Sequence, residues 1–584
     1  MSNLHYSDEK NIQLMVALLK AHNIRYIIAS PGTTNITFIG SLMHDSFFKI
    51  YSSVDERSAA YIACGIAEES GEPVVISCTG ATASRNYFPG LTEAYYRKLP
   101  ILAITSTREE CKVGHLIDQQ IDRTQIPKDA CICSEHLQII KDDEDLWNCT
   151  IKINRAILAL RQHGGGPAHI NLPTTYSKNF NVLNLPKARK ISRFYFYDKL
   201  PEITHKKIAI FIGTHKKMRD EEVQAIDKFC ECYNAVVFRD ICSGYHGKYG
   251  LSHGMLSGEE ELSMDLLIHI GEVSSAAYSC KPKEVWRVSE DGELRDTYRK
   301  LTNVFEMPEI HFFTEYAKEK IIVSTKYYEE CFKKYDDIQS RILDVPFSNG
   351  WITNFLRNRI PYGSILHLGI ASTLYSWNCY NVDNSISVNC NQGGFGIDGN
   401  MSSLLGASLI RPEKLCFCIL GDLAFFYDIN VLGNRHLGKN VRILLINNGN
   451  GVIFRKPGNI GCIFESETPT FISAGGHFGN KSHTLVKSYA ENLGFEYMSA
   501  TCKEEFIANV ENFLKNEMSQ KPILFEVFVT TENEIKGDKN KPPKGGLKKM
   551  IHELIGSQTY NMIKGIVKPD KNGHMSIDKS GLNK

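Results

Sequence analysis

Residues 415–432, LCFCILGDLAFFYDINVL, and residues 441–454, VRILLINNGNGVIF, decide how this chain folds. Each opens on a continuous apolar run of strand length and then meets a polar turn, Gly421-Asp422 in one and Asn447-Asn448-Gly449-Asn450 in the other. Short apolar runs without alternation belong to strands buried on both faces, and helical text between them points to a parallel sheet covered by helices. In such a sheet, ligands collect outside the carboxyl ends of the strands. An acid at one strand end and an amide at the next then converge on one cation. Asp422, Asn448 and the carbonyl of Asn450 offer the hard oxygen donors that Mg²⁺ takes when it also carries phosphate oxygens. Taken singly, Gly-Asp and Asn-Asn-Gly are turns. Their joint placement after two successive strands is what raises a diphosphate site.

The same rhythm extends outward. SILHLG (364–369), SISVNC (385–390) and PILFEVFV (522–529) complete one α/β block over residues 346–534. At the other end, an amphipathic helix over 8–23 leads to the strands RYIIAS (25–30), PVVISC (73–78), PILAIT (100–105) and PAHINL (167–172), a block over residues 1–187. Between them, KIAIFIG (207–213), a helix at 219–232, AVVFRD (235–240) and LLIHIG (266–271) alternate again. This middle block has no G-x-G-x-x-G, so a structural or subunit-packing role is its default and a dinucleotide is not implied. Residues 281–345 are charged and tyrosine-rich and read as a connector, making 188–345 a central domain and connector. KGDKNKPPKGGLKK (536–549) marks residues 535–584 as a solvated tail. The predicted fold class is α/β, with three Rossmann-like parallel-sheet domains.

Composition narrows the function classes. At 584 residues the chain is too long for one core, and 42% hydrophobic with 23% charged residues excludes a disordered, collagenous or coiled-coil protein. Lys and Arg number 67 against 66 Asp and Glu, so the balance favours neither nucleic acid nor an anionic membrane as partner. The 17 cysteines are odd in number, scattered and without C-x-x-C; the pairs Cys131/Cys133, Cys230/Cys232 and Cys416/Cys418 read as reduced packing residues. The opening MSNLHYSDEKNIQ lacks an apolar signal core, and no apolar run approaches the roughly 18 residues of a spanning helix. A cytoplasmic protein is expected.

Taken together, the segments IDGNMSSLLGAS (397–408), ILGDLAFFYDINVL (419–432) and LLINNGNGVIF (444–454) resemble the thiamine diphosphate motif of the SEPHCHC synthases of menaquinone biosynthesis. SPGTTN (30–35) and the run from Ser52 to Ala94, with VDERSAA and TGATASRN, resemble the same branch in order and spacing. The resemblance implies a pyrimidine-binding domain over 1–187 and a diphosphate-binding domain over 346–534. It also implies thiamine diphosphate and Mg²⁺ as cofactors, and a homodimer or homotetramer in which two chains complete each site. In similar enzymes a glutamate hydrogen-bonds the aminopyrimidine N1′, and Glu56 occupies that place here; without the resemblance, Asp55-Glu56-Arg57 is an exposed charged turn before a helix. A desolvated carboxylate with a raised pKa is the physical expectation for Glu56. Ile397 matches the apolar prop between the cofactor's rings, although an isoleucine in a glycine-rich turn also suits a core. The other cofactor residues the resemblance implies are Thr33, Thr79, Asn86, Gly394, Gly421, Leu423 and Ile453. Thr34, Arg108, Gln119, Gln392 and Phe454 are the corresponding substrate candidates. His115 and His367 are more simply structural.

The departures bear on substrate. SEPHCHC synthases bind two carboxylate-bearing substrates, 2-oxoglutarate and isochorismate, and arginine forks are natural receptors for carboxylates. This chain has Thr34, Gln392 and Tyr375 where that family has arginine, with Arg108 and Arg455 as the remaining cationic candidates. The expected reaction is decarboxylation of a small 2-oxo acid, such as pyruvate, and transfer of the acyl carbanion to an unidentified acceptor. The SEPHCHC synthase reaction and simple decarboxylation to an aldehyde are the alternatives. A scaffold on a retired enzyme fold is disfavoured by intact Glu56, Asp422 and Asn448, and a flavin or nicotinamide oxidoreductase by the missing glycine fingerprint.

Overall fold

The computed structural model describes residues 5–537 except 124–125, 257–262, 276–279, 341–344 and 478–481, together with the backbone of 567–569 and 575–577. Most of the tail expected at 535–584 therefore lies outside the described residues. By internal contacts the chain divides into two compact units, Met1–Leu200 with Glu290–Met307, and Pro201–Ser289 with Pro308–Lys584.

The strand Cys416–Gly421 is buried along nearly its whole length. Side-chain alternation places Phe417 and Ile419 in one hydrophobic core and Cys416, Cys418 and Leu420 in the other, so the sheet is covered on both faces. The C-x-C spacing is thus two small residues on one face of a buried strand. Burial pushes the Cys418 thiol up, and all seventeen cysteines are free thiols. The next strand, Val441–Asn447, also carries a charge: Arg442 is fully buried and donates to the carbonyls of Phe513 at 2.8 Å and Glu517 at 2.7 Å. Those acceptors lie at and beyond the end of the helix Lys503–Leu514, where unpaired carbonyls favour a cation.

In this sheet of the second unit, the six strands run in the spatial order Ser387–Cys390, Ile365–Leu368, Cys416–Gly421, Val441–Asn447, Ile523–Phe528, Glu496–Ala500, all parallel. The same unit holds a second parallel array, Gly250–Ser252, Ala235–Arg239, Ile208–Ile212, Ser263–Ile270 and Lys281–Ser289. The first unit has a six-stranded parallel sheet ordered Lys49–Ser52, Tyr26–Ala29, Val74–Cys78, Ile101–Thr107, Ala168–Pro173, Cys133–His136. A further parallel pair, Ser192–Tyr195 with Leu301–Glu306, belongs to that unit. The α/β class read from sequence is the class observed.

Residues 281–345 differ from the expected connector. They carry the strands Lys281–Ser289 and Leu301–Glu306 and the helices Glu309–Ala317 and Lys326–Ser340. Burial explains it: Val285, Trp286, Arg287 and Val288 are all buried, and the Arg287 Nη1 donates to the Gly271 carbonyl at 2.6 Å. Charged residues at a strand end and on the helix Lys326–Ser340, with a buried arginine in the strand Lys281–Ser289, gave the segment a linker's composition.

Candidate active site

In the second unit, Ile365–Leu368 lies between Ser387–Cys390 on one side and Cys416–Gly421 on the other. The chain therefore leaves Ile365–Leu368 to one side and crosses to the other, and the crevice between the carboxyl ends of Ile365–Leu368 and Cys416–Gly421 is the topological switch point. Gly421 ends its strand in extended conformation, and Asp422 is the first residue of the helix Asp422–Tyr427. Asp422 is only 4% exposed. Burial pushes its carboxyl up to about 7, opposed by the backbone N–H groups of Asp422, Leu423, Gly449 and Asn448. The turn after Val441–Asn447 is thus brought to the acid, as the sequence pattern required.

That turn is cross-braced. Asn450 N–H donates to Asn448 Oδ1 at 3.2 Å, and Asn450 Nδ2 donates to Thr531 Oγ1 at 2.8 Å and to the Asn448 carbonyl at 3.2 Å. The Asn450 carbonyl accepts from Val452 N–H at 3.0 Å. Asn450 Oδ1 is left buried without a hydrogen-bond partner. Among the described residues there is no cluster of three or more His, Cys, Asp and Glu side chains suited to a metal. The donors here are one carboxylate with amide and carbonyl oxygens, the hard set that an oxygen-seeking divalent cation with phosphate ligands takes. A buried acid and an orphaned buried oxygen in the turn that meets it fit such a group. Leu423 and Ile453 are half-buried on either side of these residues in sequence, and Phe454 is exposed.

The glycine-rich loop after Ser387–Cys390 is pinned at several points. Asn391 Nδ2 donates to the Gly399 carbonyl at 3.2 Å, its Oδ1 lies 3.2 Å from His367 Nε2, and Asn400 Nδ2 donates to the Ile397 carbonyl at 2.8 Å. His367 is a buried structural histidine whose pKa burial lowers. Gly394 is exposed, whereas Ile397 is half-buried and packs against the cores on both faces of the sheet. Gln392, a substrate candidate from sequence, is fully buried; its Oε1 accepts from Ser275 N–H at 3.1 Å and its Nε2 donates to Asp240 Oδ1 at 3.0 Å. Asp240 was not singled out by sequence. It is fully buried and also accepts from Ser274 Oγ at 2.6 Å and Cys242 N–H at 2.8 Å. Burial raises its pKa against those donors. Its only sequence signal was the Arg-Asp end of an otherwise apolar strand.

In the first unit, Asp55 Oδ1 accepts from Ser58 N–H at 3.1 Å and caps the helix Glu56–Ser70, which makes Glu56 its first residue. Glu56 Oε2 accepts from Asn86 Nδ2 at 3.2 Å, so two residues 30 apart in sequence meet. In the single chain Glu56 is half-buried rather than desolvated. Thr34 is buried; its hydroxyl meets that of Thr79, donates to the Ser106 carbonyl at 3.0 Å and accepts from Gly80 N–H at 3.3 Å. Thr33 is exposed beside it. Arg108 grips Asp118 with both terminal nitrogens, at 3.2 and 3.4 Å, and its Nε donates to Tyr176 OH at 3.1 Å. Gln119 and His115 are exposed.

Residues 10–126 match the family model described as the N-terminal TPP-binding domain of thiamine pyrophosphate enzymes. With parallel α/β sheets and the oxygen-lined turn at Asp422, the chain is a thiamine diphosphate-dependent enzyme. It is 30% identical over 557 residues to the 2-succinyl-5-enolpyruvyl-6-hydroxy-3-cyclohexene-1-carboxylate synthase of Phocaeicola vulgatus, covering 91% of this chain and 97% of that protein. The synthases of the same name from Bacteroides thetaiotaomicron and Flavobacterium johnsoniae are 30% and 28% identical, covering 90% of this chain in each case and 96% and 97% of those proteins. The chain belongs to the family of these synthases.

Proposed function

We propose that the enzyme decarboxylates a 2-oxo acid and transfers the acyl carbanion to a second molecule, with thiamine diphosphate held through Mg²⁺. The observation that carries this reading is the buried Asp422 with the 448–450 turn at the switch point, a site for a cation and phosphate oxygens. Asp422, Asn448 and the Asn450 carbonyl would ligate the metal. Gly394, Gly421, Leu423, Ile397 and Ile453 would line the cofactor, and Thr33, Thr79 and Asn86 are the further cofactor residues the family resemblance implies. When bound, thiamine diphosphate supplies the carbon nucleophile and the electron sink for loss of CO₂. Glu56 would hold a proton against the aminopyrimidine, with Asn86 orienting its carboxylate. Thr34 and Gln392 act by fixing the groups around them, because their polar atoms are engaged within the protein; Gln119 and Phe454 would face substrate, as would Arg108 on exchanging its Asp118 partner.

The donor is a small 2-oxo acid such as pyruvate. Thr34, Tyr375 and Gln392 carry no charge and cannot neutralise a dicarboxylate, and a charge-assisted hydrogen bond contributes about 1.5–3 kcal/mol. The reaction in the relatives' name is the second reading, favoured by identity along nearly the whole chain. Among the described residues no helix is long and apolar enough to cross a membrane, and we place the enzyme in the cytoplasm as a homodimer or homotetramer. CO₂ release from a panel of 2-oxo acids, with and without acceptors, tests the assignment. Pyruvate should turn over faster than 2-oxoglutarate; the reverse, with isochorismate as acceptor, returns the protein to its relatives' reaction.

A further inference from the structure

The second array of this unit has a switch point of its own. Ile208–Ile212 lies between Ala235–Arg239 and Ser263–Ile270, and a ligand would collect past the carboxyl ends of Ile208–Ile212 and Ser263–Ile270. Backbone closes that place: Gly213 N–H donates to the Ile270 carbonyl at 3.1 Å, and a Cβ on Gly213 would lie 2.1 Å from the Glu272 carbonyl oxygen. What this edge offers instead is Asp240, the residue after Ala235–Arg239, whose N–H donates to the Ile212 carbonyl at 2.9 Å. Its carboxylate reaches the other sheet's loops at two points. Oδ1 accepts from Gln392 in the glycine-rich loop at 3.0 Å, and Oδ2 accepts from Asn378 Nδ2, at the end of the helix Ser372–Trp377, at 3.4 Å. Asn378 Oδ1 accepts in turn from Ile241 N–H at 2.7 Å, and its Nδ2 also donates to Ser275 Oγ at 3.0 Å. Gln392 uses both ends of its amide, donating to Asp240 and accepting from Ser275 N–H, so its orientation is fixed as well as its place.

We propose that Asp240 is a positioning residue for the cofactor site: through Gln392 and Asn378 it sets the loop 391–399 at the carboxyl edge and governs how tightly the thiamine part of the cofactor is held. The inference rests on the cofactor reading above. Asp422 and the 448–450 turn address the cation and the phosphates, whereas Gly394 and Ile397, which would meet the rings, ride on the loop that Gln392 anchors. A buried carboxylate that takes four neutral donors, from Gln392, Asn378, Ser274 and Cys242, makes a stiff anchor, because leaving any one of them unpaired is costly.

Calorimetry on the full-length protein separates the two parts of the site with two ligands, each given with Mg²⁺: inorganic pyrophosphate, which needs the Asp422 end alone, and thiamine diphosphate, which also needs the loop. Gln392→Glu sets a second carboxylate against Asp240. It should weaken thiamine diphosphate roughly ten- to hundred-fold, leave pyrophosphate little changed, and speed hydrogen exchange of the loop 391–399 in cofactor-free protein. Adding Asp240→Asn removes one of the two facing charges and should recover part of the affinity and of the protection. Asp240→Asn alone keeps an oxygen for Cys242 N–H and Gln392 and should cost less than Gln392→Glu. Equal losses for both ligands overturn the proposal, since they mark a general loss of structure. So does Gln392→Glu without effect, or a double variant with no recovery. If wild-type protein binds neither ligand, the cofactor reading fails, while loop exchange across the three variants still decides whether Asp240 holds 391–399.

Discussion

The six-stranded sheets of the two units share one topology, with strands in the order second, first, third, fourth, sixth, fifth and every pairing parallel. Their strand ends carry opposite chemistry. In the first unit the third strand runs into Thr79 and Gly80, and the polar groups there satisfy one another: Thr34, Thr79 and the Ser106 carbonyl close a knot, and Glu56 is left half-buried with Asn86. In the second unit the third strand runs into Gly421 and Asp422, and the carboxylate is buried among backbone N–H groups. At the end of the first strand, the second unit has Ala371 at φ 67°, a conformation that a side chain disfavours, directly before Ser372. The same apolar pattern builds the same sheet twice, and a few residues past the strand ends decide which copy suits a cation and which offers a hydrogen-bonding acid.

The largest expected effects separate those two roles. Asp422→Ala should abolish Mg²⁺-dependent binding of thiamine diphosphate in calorimetry. Glu56→Gln should keep that binding and lose roughly 10²–10⁴ in proton exchange at the thiazolium C2. Binding lost in both variants, or in neither, breaks the contrast. Mixing the two inactive proteins should restore partial activity if two chains complete each site, whereas full activity from a monomer excludes that arrangement.

A falling and a rising pH should strain the units through different buried groups. His169 in the first unit is buried between Thr105 Oγ1 at 2.8 Å and Ser134 Oγ at 3.0 Å, and burial lowers its pKa from 6.5 to about 3. Its folded value lies below the unfolded one, so its contribution is present above pH 6.5 and is lost as pH falls toward 3, an effect on the order of 5 kcal/mol. Asp240 in the second unit is raised by burial, so its contribution is present below the unfolded value and is lost as pH rises through the folded one. Hydrogen exchange across a pH series, read separately for peptides of each unit, should show the His169 contribution lost as pH falls and the Asp240 contribution lost as pH rises above the ordinary carboxylate range. His169→Gln should flatten the first limb and Asp240→Asn the second. Identical pH profiles in both units would remove the distinction.

The smallest effects concern helix packing. A Cβ on Gly90, in the helix Phe88–Arg97, would lie 2.4 Å from Ala60 Cβ in the helix Glu56–Ser70, whereas one on Gly406, in the helix Asn400–Ile410, would meet nothing within 4 Å. Gly90→Ala should cost about 1–3 kcal/mol by overpacking, and Gly406→Ala should stabilise by about 0.4–1. Thermal melts of the two variants should therefore move in opposite directions.

The central strands were legible because a strand buried on both faces is a continuous apolar run: PVVISC contains Val74–Cys78, and LCFCILG contains Cys416–Gly421. The edge strands Lys49–Ser52, Cys133–His136 and Glu496–Ala500 were not, because an edge faces solvent and is written in polar residues that resemble loop. The placement of Asp422 and of the 448–450 turn was legible because both lie within a few residues of strand ends, where position along the chain fixes position in space.

By itself, then, the sequence determined the α/β class, the carboxyl-edge placement of Asp422 and Asn448, and the resemblance that singled out Glu56. Only the tertiary structure decided that Glu56 meets Asn86, that Gln392 is committed to Asp240, and that Lys456 reaches Ser372. Hydrophobic periodicity is local and survives in one dimension. A hydrogen bond joins residues 30, 152 or 84 positions apart, and no pattern along the chain records which polar groups the packing brings within reach.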